Sequence, residues 1–145
     1  MAANTATTAH AFTGRPEVTK NDLARYYALR ANEYDAIYMK PERQVDIHLL
    51  GDAMASLLEG RSVLELACGT GRILIPIAKL GYQTVGIDLS QSMLDVFAKK
   101  IANDKILSTR IKLVCSDMAN FSLGQKFDFI FISNILFELR NLYPN

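Results

Sequence analysis

The stretch Val63-Leu64-Glu65-Leu66-Ala67-Cys68-Gly69-Thr70-Gly71-Arg72 decides the fold. Ser62 to Ala67 is a short apolar run that reads as a strand, and it ends in the glycine turn Cys68-Gly69-Thr70-Gly71. Ile73 to Leu80 then reads as helix, closed by Gly81. Pro76 lies beyond the favoured first helical position, so this helix either bends there or starts late. Downstream the rhythm repeats. Gln83 to Ile87 is a second strand, Ser90 can cap a helix carrying Leu94, Phe97, Ala98 and Ile101, and Ile111 to Val114 is a third strand. Gly124-Gln125-Lys126 turns into a fourth, Phe127 to Ser133. Strands that are nearly unbroken apolar runs, alternating with helices, indicate a parallel sheet covered on both faces. The fold class is α/β, doubly wound, and such sheets bind ligands at the carboxyl ends of their strands where the strand order reverses.

Upstream of Ser62 the pattern is helical. After Pro16, Asn21 or Asp22 can cap one amphipathic helix or two short ones, with Leu23, Tyr26, Tyr27, Tyr34, Ile37 and Tyr38 at spacings of three and four. Pro41 breaks the pattern, and a second apolar face runs through Val45, Leu49, Leu50, Ala53, Met54, Leu57 and Leu58 to Gly60. Met1 to Thr13 is rich in Ala and Thr and lacks the basic and apolar regions of a secretory signal, so it reads as a disordered tail.

At 145 residues, 50% apolar and 21% charged, the chain fits one soluble globular domain. A formal charge of +1 gives no broad electrostatic reason to expect a nucleic acid, an acidic substrate or a membrane surface as partner. Charges interrupt every apolar run short of the roughly 18 residues that a membrane helix needs. The two cysteines, Cys68 and Cys115, form no disulfide framework, and a reducing, cytoplasmic setting fits them best. They are too few and too far apart for a zinc site, and His10 and His48 are isolated, so no metal is expected.

The turn at Gly69 and Gly71 lets the backbone approach a ligand and aims free amides at it. Asp88, 17 residues after Gly71 at the end of the second strand, can accept both hydroxyls of a ribose. A nicotinamide or flavin dinucleotide site would want a third glycine where Leu74 stands, and a P-loop would want Lys-Ser or Lys-Thr after the glycines. Glu65 would repel a pyrophosphate but suits a cationic ligand.

These residues resemble the class I S-adenosylmethionine-dependent methyltransferases, in particular the small-molecule type with a helical N-terminal cover. Val63 to Arg72 looks like that family's first motif, with Ala67 where glycine is commoner, and Val85-Gly86-Ile87-Asp88-Leu89-Ser90-Gln91-Ser92-Met93-Leu94 looks like its second. The resemblance implies a Rossmann-like sheet ordered 3-2-1-4 and incomplete after its fourth strand, with S-adenosyl-L-methionine as cofactor. It implies that Glu65, Ala67, Gly69 and Gly71 line the methionine part, that Asp88 with Leu89 holds the ribose, and that Met93 packs on the adenine. Asp117 would take the adenine amine, with the Met118 amide facing the ring. Ser133 and Asn134 fall at the cofactor's amino end, and Tyr26, Tyr34 and Tyr38 in the cover.

No catalytic residue is assigned. Methyl transfer from a sulfonium needs alignment more than a base, and relatives commonly place a His near Glu138. The resemblance divides the chain into a tail (1–20), a helical cover (21–60) and the N-terminal part of a methyltransferase domain (61–145). It implies a small-molecule acceptor, and a fourth strand left exposed for self-association. A non-catalytic module that binds S-adenosylmethionine, regulatory or assembled with another chain, is the alternative function.

Overall fold

The computed structural model describes residues 18–38, 41, 47, 49, 52–53 and 62–133. The expected tail through Pro16, most of the second helical pattern, His10, His48, Asn134 and Glu138 lie outside the described residues. Within that pattern, Ile47, Leu49, Asp52 and Ala53 are helical.

Four parallel strands, β1 (Ser62–Leu66), β2 (Gln83–Asp88), β3 (Ile111–Cys115) and β4 (Phe129–Ile132), form one sheet in the order β3-β2-β1-β4. Register aligns Leu64 with Val85 on one side and with Ile130 on the other. The two interior strands are buried almost throughout, whereas β3 and β4 show more exposure, as edge strands do. At the start of the β1–β4 pair, the Ser62 amide (2.9 Å) and hydroxyl (2.5 Å) both donate to Asp128 Oδ2, and the Asp128 amide donates to the Ser62 carbonyl (3.0 Å).

The sequence accounts for where the helices start. α1 (Lys20–Arg30) is capped by Thr19 rather than by Asn21 or Asp22. Thr19 accepts from the Asp22 amide while the Asp22 carboxylate takes the Thr19 amide, a reciprocal box that satisfies two orphan donors. The chain then turns into a second short helix, α2 (Tyr34–Tyr38), so the pattern from Leu23 to Tyr38 is two helices and not one. α3 (Leu74–Lys79) starts late: Pro76 falls in its first turn, where its missing N–H costs no intrahelical bond. α4 (Gln91–Ile101) is capped by Ser90, as expected. α5 (Lys105–Arg110), capped by Asp104, was not evident in the sequence.

One face of the sheet buries Val63, Leu74, Ile77, Leu94, Phe97, Ile101, Leu107 and Ile111 together. Leu64, Val85 and Ile87 form the other face, packed with Leu66, Val114, Leu123 and Phe127. Leu123 and Phe127 come from the β3–β4 connection, which runs from Ser116 to Asp128 without a helix. Among the described residues the first face is thus covered by helices and the second in part by the β3–β4 connection, and the carboxyl ends of all four strands open on one edge.

Candidate active site

That edge gathers most of the residues singled out in the sequence. β1 leads into Ala67 at φ 56°, followed by Gly69 at φ 55° and Gly71 at φ 82°. Left-handed backbone is natural for glycine and costs an L-residue, so Ala67 holds a conformation better suited to glycine. Gly71 has no room for a side chain: a Cβ there would lie 2.4 Å from the Phe97 ring, which is itself fully buried. The Gly71 amide donates to the Cys68 carbonyl (3.0 Å), closing the turn. Gly86 of β2 has the same constraint, since a Cβ would meet Cys68 Sγ at 2.6 Å. Its role becomes evident only once β2 lies beside the loop.

Asp88, at the end of β2, is buried and spans two segments. Its Oδ2 accepts from the Gly69 amide (2.8 Å) and its Oδ1 from the Ser90 amide (2.8 Å). It therefore braces the glycine loop and the start of α4 at once, and each oxygen retains a second lone pair for a ligand hydroxyl. Burial raises its pKa, against the lowering effect of these amides.

Glu65 is the more unusual carboxylate. It is 1% exposed, its Oε1 accepts from the Ser133 hydroxyl (2.8 Å) at the end of β4, and its Oε2 is buried with no hydrogen-bond partner among the described residues. Burial pushes its pKa up to about 8, opposed by the Ser133 hydroxyl and the Arg72 charge and reinforced by Asp88. A buried acceptor left unsatisfied is costly. An ammonium nearby would donate to it and draw the carboxyl to its ionised form, so this acceptor fits the cationic end of a ligand such as S-adenosylmethionine. Burial and the two carboxylates also hold the Cys68 thiol well above its ordinary pKa, which makes it an inert packing group.

The cover reaches this edge at three points. The Tyr34 ring lies against Gly69, with Cε1 4.0 Å from where a Cβ would stand, and buried Met93 approaches the same point at 3.5 Å through its Cε. Asp35 accepts from the Thr70 hydroxyl in the glycine loop (2.5 Å) and from Lys100 Nζ on α4 (2.7 Å). Lys20 Nζ donates to Asp117 Oδ2 after β3 (2.6 Å), and Asp117 Oδ1 accepts from the Ala119 amide (2.9 Å).

Gly69, Gly71, Asp88, Met93 and Tyr34 thus come together, with Glu65 and Ser133 joined beside them. Leu89 and Met118 are half-buried next to Asp88 and Asp117, and the Leu89 carbonyl accepts from Cys115 Sγ (3.6 Å). Tyr26 lies farther out: it is about half exposed, accepts from Arg30 Nη1 (2.7 Å), and meets Tyr34 only through the edge-on ring of Tyr27. Lys20, Thr70 and Lys100 are contributors that the sequence did not reveal. Among the described residues, no three His, Cys, Asp or Glu side chains gather as a metal site, and no helix is long and apolar enough to cross a membrane.

Comparison with known proteins places the chain among methyltransferases. The chain is 30% identical over 127 residues to the ubiquinone biosynthesis O-methyltransferase of Coxiella burnetii, covering 82% of this chain and 51% of that one. To the malonyl-acyl-carrier protein O-methyltransferase of Priestia megaterium it is 27% identical over 127 residues, covering 86% and 44%. A solved structure of the glycopeptide N-methyltransferase MtfA, complexed with S-adenosyl-L-methionine, superposes with a TM-score of 0.53 at 33% identity, covering 57% of this chain and 34% of that one. The chain spans about half the length, or less, of the curated relatives named here. A family model described as a methyltransferase domain matches residues 63–142, more than half of the sequence, and the chain belongs to that family.

Proposed function

We propose that this chain binds S-adenosyl-L-methionine along the carboxyl edge of its sheet and serves methyl transfer to a small-molecule acceptor. The observation that carries the reading is the pair of buried carboxylates, Glu65 with an unsatisfied oxygen and Asp88 bonded to Gly69, beside a glycine turn that Tyr34 covers. Asp88 with Leu89 holds the ribose, and Glu65, Ala67, Gly69, Gly71 and Ser133 surround the methionine end. Met93, Asp117 and Met118 flank the adenine. Tyr34 closes over the loop, and Tyr26 contributes through the edge-on ring of Tyr27 behind it. The bound cofactor supplies a methyl group already activated on its sulfonium. The chain's own residues orient that methyl and exclude water, work that needs no general base.

Two further proposals follow the same chemistry. Both cysteines are free, which suits a reducing cytoplasm. The apolar flank of β4 suits pairing with a second copy of the chain.

Calorimetric titration tests the cofactor. S-adenosylmethionine or its demethylated product should bind and NADH should not. The Asp88→Ala variant should bind at least about tenfold more weakly, because it loses charge-assisted hydrogen bonds of about 1.5–3 kcal/mol each. Tight NADH binding without an S-adenosylmethionine signal, or an unchanged affinity in Asp88→Ala, would remove the corresponding assignment. Binding without turnover of any acceptor would leave a cofactor-binding module.

A further inference from the structure

Asp35 stands outside the chemistry just described, yet its two carboxylate oxygens go to two different parts of the molecule. Oδ1 takes the hydroxyl of Thr70, a fully buried residue between the two glycines, and Oδ2 takes the ammonium of Lys100 in the last turn of α4. An ordinary surface ion pair joins two solvated side chains and contributes little. Here one partner is a buried hydroxyl at the turn, and the charged pair itself is only about one-third exposed on either side. The residue before Asp35 is Tyr34, whose ring rests on Gly69. One carboxylate therefore fixes both the distance and the rotation of α2 relative to the glycine turn.

The same α4 that supplies Lys100 carries Met93 at its other end, against Gly69. α1 is fastened separately through Lys20 to Asp117. A ligand lying along the strand ends would lie next to a segment fastened at both places.

We infer that Asp35 is a positioning residue: a two-pronged clasp that holds the cover on the glycine turn and thereby sets how long a bound ligand stays. The inference rests on the reading that this edge binds S-adenosylmethionine and its demethylated product, S-adenosylhomocysteine. Asp35 touches neither. It acts through Thr70 on the turn and through Tyr34 on the space above Gly69.

The test is stopped-flow release of S-adenosylhomocysteine from the 145-residue chain and its variants, each checked for a cooperative melt. Asp35→Ala should speed release by about tenfold, the scale of one charge-assisted hydrogen bond, with the association rate changed much less. Thr70→Val, which leaves the Lys100 prong in place, should speed release in the same direction but by less, Thr70→Ser should behave as the parent, and Asp35→Ala with Thr70→Val together should be no faster than Asp35→Ala alone. Additive effects would mean that the two side chains act independently of each other. Unchanged release in a folded Asp35→Ala chain, or additive effects, would overturn the clasp.

A second readout needs no ligand. In the unliganded chain, amide hydrogen exchange over residues 20–38 should quicken in Asp35→Ala. If the parent binds no S-adenosylhomocysteine, the cofactor reading fails, while this exchange still decides the clasp: equal exchange in parent and variant refutes it.

Discussion

At the scale of single residues, Glu65 governs the response to pH. Its pKa rises from 4.5 unfolded to about 8 folded, chiefly by burial. Between those values the folded chain keeps a proton that the unfolded chain has released. Glu65 therefore supports folding fully below pH 4.5, and its contribution falls by about 1.4 kcal/mol per pH unit as pH rises to about 8. Glu65→Gln removes this slope, so the variant should gain stability relative to the parent as pH rises from 5 to 8. Denaturant unfolding at several pH values measures it, and parallel curves would show that Glu65 is ionised in the fold.

Ala67 carries a different strain. Its φ of 56° should make Ala67→Gly stabilising by roughly 1 kcal/mol, the left-handed penalty less the extra freedom that glycine has when unfolded. A lower unfolding midpoint would mean that the Ala67 methyl packs better than its backbone suffers. Gly69, Gly71 and Asp88 were legible in the sequence because turn chemistry and strand-end spacing are local signals. Lys20 with Asp117, Asp35 with Thr70, and Glu65 with Ser133 were not legible as pairs. Their partners lie 97, 35 and 68 positions apart and meet only after the sheet and cover assemble.

At the scale of elements, local chemistry again marks the boundary of what could be read. Ser90 caps α4 because a lone hydroxyl stands before a clear apolar period. α1 begins two residues earlier than its apolar pattern suggested because Thr19 and Asp22 cap each other, a pairing outside the hydrophobic rhythm. α5 has a single buried residue, Leu107, so it leaves almost no periodic trace.

Among the elements, β4 invites a direct experiment. Among the described strands it lies at the sheet's edge, with Ile130 and Ile132 exposed beside half-buried Phe129 and Phe131. An apolar edge with unpaired backbone groups recruits other strands. The chain should therefore sediment as a concentration-dependent oligomer, and the double substitution Ile130→Lys with Ile132→Lys should shift it toward monomer. If parent and variant sediment alike, the edge takes no part in association.

At the scale of the whole molecule, the sheet order β3-β2-β1-β4 agrees with what the first two motifs imply. The parallel arrangement was legible because the interior strands are continuous apolar runs. The β3–β4 connection was harder to read, since Leu123 and Phe127 cover a sheet face from irregular backbone, for which no period exists. The placement of the cover was legible as helix but not as contact, because charged side chains rather than an apolar stripe fasten it.

The bonds between Ser62 and Asp128 bear on how the chain is made. Asp128 follows Ser62 by 66 residues, so β1 is synthesised well before the partner that protects its outer flank. At about 5–20 residues per second, a ribosome leaves that flank of the central strand bare for roughly 3 to 13 seconds. During that interval β2 and β3 can dock on one side only. The β1–β4 pair is therefore the last of the sheet's three pairings for which both strands have left the ribosome.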